Sequence, residues 1–168
     1  MTIQQKNVKR AFVLRIAPGG IDQMAEALKT DSLIIGWSDA KGLLDEKLTW
    51  EQFRQVVHNT YHSDEKNFTK SGRAAGNVWR FIREMTIGNY VVVPHRSNFY
   101  IAQVKDKAYY DELRVREDMA YRRPVIWLNE KKPFPRKITK ASLQLRMKVQ
   151  QACANADDLI GEIEDVLV

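Results

Sequence analysis

The sequence of 168 residues contains a single cysteine, Cys153, which excludes an internal disulfide and a cysteine metal cluster. It also lacks an apolar run close to the roughly 18 residues that a membrane-spanning helix needs. Its first sixteen residues are polar at the start and have no small-residue cleavage site, so they do not have the pattern of a signal peptide. Together these absences predict a cytoplasmic protein with no membrane partner.

Recognisable catalytic motifs are missing as well. The chain has no GxSxG nucleophile elbow, no phosphate-binding P-loop and no GxGxxG turn. His58 and His62 are four residues apart, but they lack the intervening glutamate of a zinc protease and an evident third ligand. Two Asp-Glu-Lys triplets, at 45–47 and 64–66, fall in polar segments where a nuclease would place them on buried strands. We therefore predict a protein that is not an enzyme and needs no cofactor or metal.

Positive charge is present in excess and is unevenly distributed. The formal net charge is +6, yet the last twelve residues hold five acids and no base, so residues 1–156 alone carry +11. A body this basic attracts phosphate backbones and speeds encounters with them. Solubility alone is the other interpretation of the charge.

Hydrophobic periodicity predicts an α+β domain. Strands are expected at 11–16, 32–37, 89–94, 99–105 and 124–128, and helices at 21–28, 49–61, 74–85, 139–154 and from Asp157 onward. Strand 32–37 is apolar on both faces and is expected at the centre of the sheet. The helix at 49–61 begins with a capping box, and the one at 139–154 is expected to be capped by Thr139. The four-residue link between 94 and 99 requires antiparallel pairing, which favours a small mixed barrel-like sheet flanked by helices.

Aromatic and basic side chains lie at the predicted ends of these elements. Trp37 and Ser38 lie at the end of a buried strand, and three polar or basic residues lie in a loop predicted at 62–73. Arg123 and Trp127 share another strand and, being four residues apart, point to the same face unless a bulge intervenes. Aromatic rings stack on bases and cations neutralise phosphates. The candidate nucleic-acid-binding residues are therefore Trp37, Ser38, Lys70, Ser71, Arg73, Asn77, Trp79, Arg123 and Trp127. Each tryptophan is equally a candidate core residue, and Arg73 a candidate solvated charge.

The order of five segments carries a family resemblance. These are "IIGW", "LTWEQFRQVVHNTY", "SGRAAGNVWRFIREMTIGNYVVVP", "FYIAQV" and "RRPVIWL", within residues 11–128. The series resembles the EVE and YTH-like branch of the PUA superfamily, as in the N-terminal reader module of prokaryotic modification-dependent restriction endonucleases. Asn89 departs from that pattern, because the family usually has an aspartate at this position in the turn.

The resemblance implies a PUA-like β-barrel flanked by helices, here residues 1–155, followed by an acidic C-terminal helix at 156–168. It implies a reader that holds a flipped, methylated base in an aromatic cage. Gly36 and Trp37 match a cage position, and Ser38 the place where backbone groups meet the base edge. DNA is expected more than RNA, with restriction of modified DNA depending on a separate effector nuclease.

Three other functions fit the same sequence. One is an RNA-binding domain of the same fold that does not require a modified base. Another is a protein-interaction module that docks a partner through the acidic C-terminal helix. The last is a small-molecule pocket, which uses an aromatic cage without needing the basic residues.

Overall fold

The computed structural model describes residues 10–168, a mixed α+β domain whose sheet curls strongly into a half-barrel. The polar segment before Arg10 lies outside the described residues. The strands are β1 (Ala11–Leu14), β2 (Ser32–Ile35), β3 (Tyr90–His95), β4 (Asn98–Val104), β5 (Tyr109–Tyr110), β6 (Tyr121–Trp127), β7 (Phe134–Pro135) and β8 (Cys153–Asn155). The α-helices are α1 (Met24–Thr30), α2 (Trp50–Tyr61), α3 (Thr69–Trp79), α4 (Ala141–Arg146) and α5 (Ile160–Leu167). Within residues 10–168 no helix is long and apolar enough to cross a bilayer.

Six strands follow one another across the sheet in the order β2-β6-β4-β3-β1-β8. The pair β1–β3 is parallel, and the other pairs in this order are antiparallel, including the predicted hairpin of β3 and β4. Strand β6 divides its pairing: residues 121–124 pair with β2 and residues 125–127 pair with β4. The sheet therefore turns a corner along β6, which gives it the barrel-like curl.

The strands bury both of their faces because two apolar clusters lie on opposite sides of the sheet. Along β3, Val91 and Val93 belong to one cluster, while Tyr90 and Val92 belong to the other. The first cluster includes side chains of α1, α2 and α3, and the second includes those of α4 and α5. Side chains alternate along a strand, so continuous apolar runs suit strands between two cores.

The capping box predicted for α2 is confirmed. Thr49 Oγ1 accepts a hydrogen bond from the Gln52 backbone N–H at 3.2 Å, and Gln52 Oε1 accepts one from the Thr49 N–H at 2.9 Å. Phe53 and Val57 are fully buried, as the periodicity predicts. Tyr61, at the end of the same stripe, is 37% exposed and lies beside a cavity described below.

The prediction that the second strand is central was wrong. Strand β2 lies at one end of the strand order and pairs only with β6 among the described strands. Its four residues are nevertheless buried, and Leu33, Ile34 and Ile35 all join the first cluster. Helix α1 packs against it within the curled sheet, so an apolar edge strand is covered rather than exposed.

Helix α3 begins five residues before the predicted position. Its first residue is Thr69, whose N–H donates to Asn67 Oδ1 at 3.1 Å, so Lys70, Ser71 and Arg73 lie on the helix and not in a loop. Because the residues of this first turn are polar, the apolar periodicity that predicts a helix is absent there. At its other end α3 continues as a π-helical turn over Arg80–Glu84.

The long helix predicted at 139–154 was also wrong. Only α4 forms, and the chain then extends into β8, which pairs with β1. Thr139 Oγ1 donates to the Arg136 carbonyl instead of capping α4, whose N-cap residue is Lys140. Cys153 therefore lies on a buried strand, where burial raises the pKa of its thiol to about 12. Strand β8 forms because the edge of β1 offers backbone hydrogen bonds, and hydrophobic periodicity in the sequence does not reveal such a distant partner.

The acidic C-terminal helix packs onto the domain. A short turn, Asp157–Leu159, leads into α5, and Ile163 is fully buried in the second cluster. Each of its five acids has a partner in the chain: Asp157 with Arg10, Asp158 with Arg146, Glu162 with Ser142, Glu164 with Tyr90 and Asp165 with Lys140. Those contacts that join an acid to a lysine or arginine neutralise part of the positive charge of residues 1–156.

We expect Asn77→Ala to lower the free energy of unfolding by about 1–3 kcal/mol. Asn77 joins α3 to β8, because its Oδ1 accepts the buried Cys153 N–H at 2.9 Å and its Nδ2 donates to the Arg73 carbonyl. The substitution orphans that buried N–H. Urea denaturation measures the loss, with the exposed Asn59→Ala as a control expected to stay within about 0.5 kcal/mol of wild type. Equal effects of the two changes would contradict this role.

Candidate functional site

A small cavity opens where β2 ends, and Trp37 is part of its wall. Its volume is about 270 Å³, and its lining residues are Arg15, Ala17, Pro18, Gly19, Ile35, Gly36, Trp37, Tyr61, Asp118 and Ala152. Ligand pockets typically span roughly 300–1,000 Å³, so this cavity suits one small ring system rather than an extended molecule. Trp37 is half-buried and also packs against the first core cluster.

The sheet register places Asp118 against Trp37 in this cavity. Strands β2 and β6 are antiparallel with Ile35 opposite Tyr121, so residues just after β2 face residues just before β6. Hydrogen bonds join the two segments: the Ser38 N–H donates to Asp118 Oδ1 at 2.8 Å, and the Ala120 N–H donates to Ser38 Oγ at 3.0 Å. The Ser38 carbonyl accepts a third bond, from the Tyr110 hydroxyl at 2.7 Å. Ser38 thus holds the cavity wall together.

Two residues of the cavity have strained backbones. Trp37 has φ = 65° and Asp118 has φ = 59°, in the left-handed region that residues with a side chain seldom occupy. Such conformations cost on the order of 1–3 kcal/mol each and persist where the surroundings impose them. Both residues adjoin the hydrogen bonds of Ser38, and both line the cavity. Local strain of this kind often marks a functional site.

The cavity presents three kinds of chemical group. Trp37 and Tyr61 supply aromatic surface, and burial raises the pKa of Tyr61 to about 12, so its hydroxyl stays neutral. Tyr61 is held in place because its oxygen accepts the Asp39 N–H at 3.0 Å. Asp118 Oδ2 makes no hydrogen bond and no ion pair with residues 10–168, so a carboxylate oxygen is available to an N–H donor. Arg15 adds a cation at the rim without an ion-pair partner in the described chain.

A basic groove adjoins Arg15. Its volume is about 580 Å³, and its lining residues are Arg96, Ser97, Asn98, Pro135, Arg136, Lys137, Gln144 and Lys148. It contains four cations and no acid, and none of the four forms an ion pair with residues 10–168. Partial burial lowers the pKa of Arg136, and the charge of Arg15 lowers it further, so the two guanidinium groups are close and repel each other. Unbalanced cations beside the cavity create a surface for a polyanion.

The candidate residues on α3 lie elsewhere and have partners. Lys70 forms an exposed ion pair with Glu65 at 2.8 Å, and Ser71 is buried with its hydroxyl 2.9 Å from His58 Nδ1. Asn77 connects α3 to β8 as described above. Arg73 is exposed, and its side chain makes no ion pair with residues 10–168. The structure therefore does not gather these residues into a phosphate-binding loop.

Trp79 packs between two helices. Its ring meets the edges of Trp50 and Phe53 at centroid distances of 5.5 and 5.1 Å, and the Arg83 guanidinium lies 4.7 Å from the Trp79 centroid. Arg83 also donates to two backbone carbonyls, and Arg80 donates to the Cys153 carbonyl. These aromatic and basic residues hold α2, α3 and β8 together.

The two candidates on β6 are buried. Trp127 is 6% exposed and its indole N–H donates to the Ala27 carbonyl at 3.1 Å, which ties β6 to α1. Arg123 is 3% exposed and donates to the carbonyls of Phe81, Ile82 and Asp106. Trp37, Arg123 and Trp127 line three different cavities. Of the nine candidates, only Trp37 and Ser38 lie together at the cavity after β2.

Sequence reasoning missed Asp118, Tyr61, Arg15 and the basic groove. Asp118 lies in a charged stretch before β6 that shows no clear period, and Tyr61 continues the apolar period of Phe53 and Val57 along α2, which indicates a core residue. The positive charges of "RS" at 96–97 and "KKPFPRK" at 131–137 were the available signal for the groove. Nothing in their spacing indicates that they meet Lys148.

Comparison with known families gives one assignment. The sequence profile of a family described as a domain of unknown function, DUF8426, matches residues 16–151. The chain belongs to this family. The matched span contains Gly36, Trp37, Tyr61 and Asp118, and Arg15 and Ala152 lie immediately outside its two ends. A search of curated proteins found no match.

We expect Gly36→Ala to distort the cavity and to lower the free energy of unfolding by about 1–3 kcal/mol. A Cβ at Gly36 would lie 2.7 Å from Asp118 Oδ2, and that carboxylate is held by its bond to Ser38. Gly72→Ala is the matched control, because its Cβ would meet nothing within 4 Å on helix α3. It should stabilise the protein by roughly 0.5–1 kcal/mol. Denaturant titrations of both variants compare them, and an unchanged Gly36→Ala would refute the close contact.

Proposed function

We propose that this domain is a nucleic-acid reader that holds a single flipped base in the cavity of Trp37 and Asp118. One observation carries the proposal: an aromatic ring and an unpaired carboxylate oxygen share a cavity of single-ring size, and unpaired cations lie next to it. A flipped base needs stacking surface and hydrogen bonds to its Watson–Crick edge. The phosphates on either side of that base need cations.

The chemistry of Asp118 favours particular bases. A carboxylate only accepts hydrogen bonds, so it selects bases whose edge presents an N–H group, such as the exocyclic amines of cytosine and adenine. The apolar wall formed by Pro18 and Ile35 offers contact to a methyl group. Methylated cytosine or adenine in DNA is accordingly the proposed target. An N-methylated amine keeps one N–H for the carboxylate.

The basic groove is the proposed path of the phosphate backbone. Arg15 stands at both the cavity rim and the approach to Arg136, so a strand in the groove can deliver one base to Trp37. This path replaces the one expected at the start of α3, where Lys70 is neutralised by Glu65. The charge excess of residues 1–156 and the groove point to the same class of partner.

The family resemblance agrees with this proposal at the level of architecture. A curled, barrel-like α+β fold is what an EVE or YTH-like member of the PUA superfamily requires, and Gly36 and Trp37, which the resemblance assigns to the cage, line the cavity. We propose that the domain reads the modified base and leaves cleavage to a separate effector nuclease. Docking of a protein through the acidic helix is a weaker alternative, because all five acids have partners within the chain.

We expect Trp37→Ala to weaken binding to a methylated oligonucleotide by roughly 1–3 kcal/mol, the range of base stacking on an aromatic side chain. The free energy of unfolding should change less than the roughly 3–5 kcal/mol of a core tryptophan, because Trp37 is only half-buried. Fluorescence anisotropy with methylated and plain oligonucleotides measures the affinity. Urea denaturation of the same samples measures the stability.

Trp79→Ala is the control for this experiment, because its ring packs on Trp50 and Phe53 away from the cavity. It should destabilise the fold and leave the affinity of the folded protein unchanged. If Trp37→Ala kept full discrimination between methylated and plain bases, the cavity would not be the reader site.

Binding should weaken steeply with salt, and Lys137→Ala and Lys148→Ala should each make that dependence shallower. Both side chains are exposed in the groove and lack an ion pair with residues 10–168. Each lost phosphate contact should reduce the slope of log affinity against log salt by about 0.9 for duplex DNA, or about 0.7 for a single strand. Lys70→Ala, which removes a lysine paired with Glu65, should have a smaller effect. A flat salt response, or a larger effect of Lys70, would rule out the groove.

A further inference from the structure

A second cavity lies beside the π-helical turn and includes Arg123 of β6 in its lining. Its volume is about 660 Å³, and its lining residues are Leu44, Glu46, Ile82, Arg83, Met85, Thr86, Ile87, Lys107, Ala108 and Arg123. Half of these residues come from the π-helical turn and the segment just after it. π-Helical turns occur frequently at functional sites. None of these ten residues lines the Trp37 cavity or the basic groove.

Arg123 is a buried cation with an incomplete set of partners. Its Nη1 donates to the Phe81 and Ile82 carbonyls at 2.9 and 3.3 Å, and its Nε donates to the Asp106 carbonyl at 3.2 Å. Its Nη2 makes no hydrogen bond to residues 10–168, and no carboxylate in that part of the chain forms an ion pair with it. Burial lowers the pKa of Arg123 to about 10, although the charge of Asp106 opposes part of this shift, so the group is still a cation at neutral pH. A charge this deep is costly unless an anion balances it.

The other residues that line this cavity indicate the kind of anion that would fit it. Arg83 and Lys107 add two cations, and Glu46 is the one acid among the ten lining residues. Glu46 is 3.8 Å from Lys107, and both of these side chains are largely exposed. Ile82, Met85 and Ala108 line the same cavity, and Ile87 is 60% exposed at it. The site therefore combines one deep cation with an apolar wall.

We propose that this cavity binds a small carboxylate with an apolar body, whose anionic head pairs with Arg123. A planar guanidinium matches a carboxylate in geometry, and a paired head would complete the hydrogen bonds of Nη2. The apolar body would cover Ile82 and Ile87, removing their exposed hydrocarbon from water. A phosphate backbone fits this cavity less well than the basic groove, because five of the ten residues that line the cavity are apolar.

The test uses the full chain with octanoate as the probe and octanamide as its neutral match. Calorimetric titration and the thermal midpoint of the protein report binding. We expect octanoate to bind at least about tenfold more tightly than octanamide and to raise the midpoint. We expect Arg123→Gln to remove the difference between the two ligands. Equal affinities in the wild-type protein, or no binding of octanoate in the millimolar range, would overturn the proposal.

Two rim variants keep the test decisive if Arg123→Gln does not fold. Ile87→Glu and Lys107→Glu change exposed side chains of the cavity, and each should weaken octanoate at least about tenfold through like-charge repulsion. Leu113→Glu, at an 88% exposed position outside the cavity, is the matched control and should bind as wild type. The Trp37→Ala variant should also bind octanoate with wild-type affinity. The octanoate experiment therefore tests this site independently of the proposed base-binding site. Unchanged octanoate affinity in both rim variants would place the ligand elsewhere and refute the site.

Discussion

Strand β6 is the element on which the rest of this structure depends. Its first half hydrogen-bonds to β2 and its second half to β4, so it joins the two parts of the sheet and creates the curl. Because β2 runs antiparallel to β6, the chain after β2 meets the chain before β6, and Trp37 and Asp118 come together there. Further along β6, Arg123 turns inward to the carbonyls of the π-helical turn and lines the second cavity.

Net charge alone does not locate a binding surface in this domain, because many of its cations stabilise the fold. Arg80 and Arg83 bind backbone carbonyls, Arg122 pairs with Glu26, and Arg10 and Arg146 hold the acidic C-terminal segment. The four cations of the groove and Arg15, by contrast, form no ion pair with residues 10–168. The repulsion among these cations destabilises the folded protein, and binding of a phosphate backbone would reduce that repulsion. The groove is thus distinguished by four unpaired cations that lie together without an acid, and not by the net charge of the domain.

Elements formed by interactions between neighbours in the sequence were easier to predict than elements formed by contacts between distant residues. The hairpin of β3 and β4 and the capping box of α2 depend on neighbours in the chain, and both were predicted from sequence. The missed elements depend on distant partners. Strand β8 exists because β1 has a free edge, and β2 is buried at the end of the sheet because α1 and the curl cover it. The early start of α3 is a local error, since its polar first turn gave no apolar period.

The sequence by itself determined an α+β class, a basic body with an acidic end, and Trp37 and Ser38 at the end of a buried strand. These features reside in composition and in periods of a few residues. Only the tertiary structure decided that Asp118 completes the cavity, that Trp79 packs against α2 while Trp127 is buried, and that Arg136 and Lys148 share a groove near Arg15. Those outcomes depend on the strand register and the turns of the chain, which bring together residues up to 137 positions apart. Contacts between such distant residues produce no periodic pattern in the sequence.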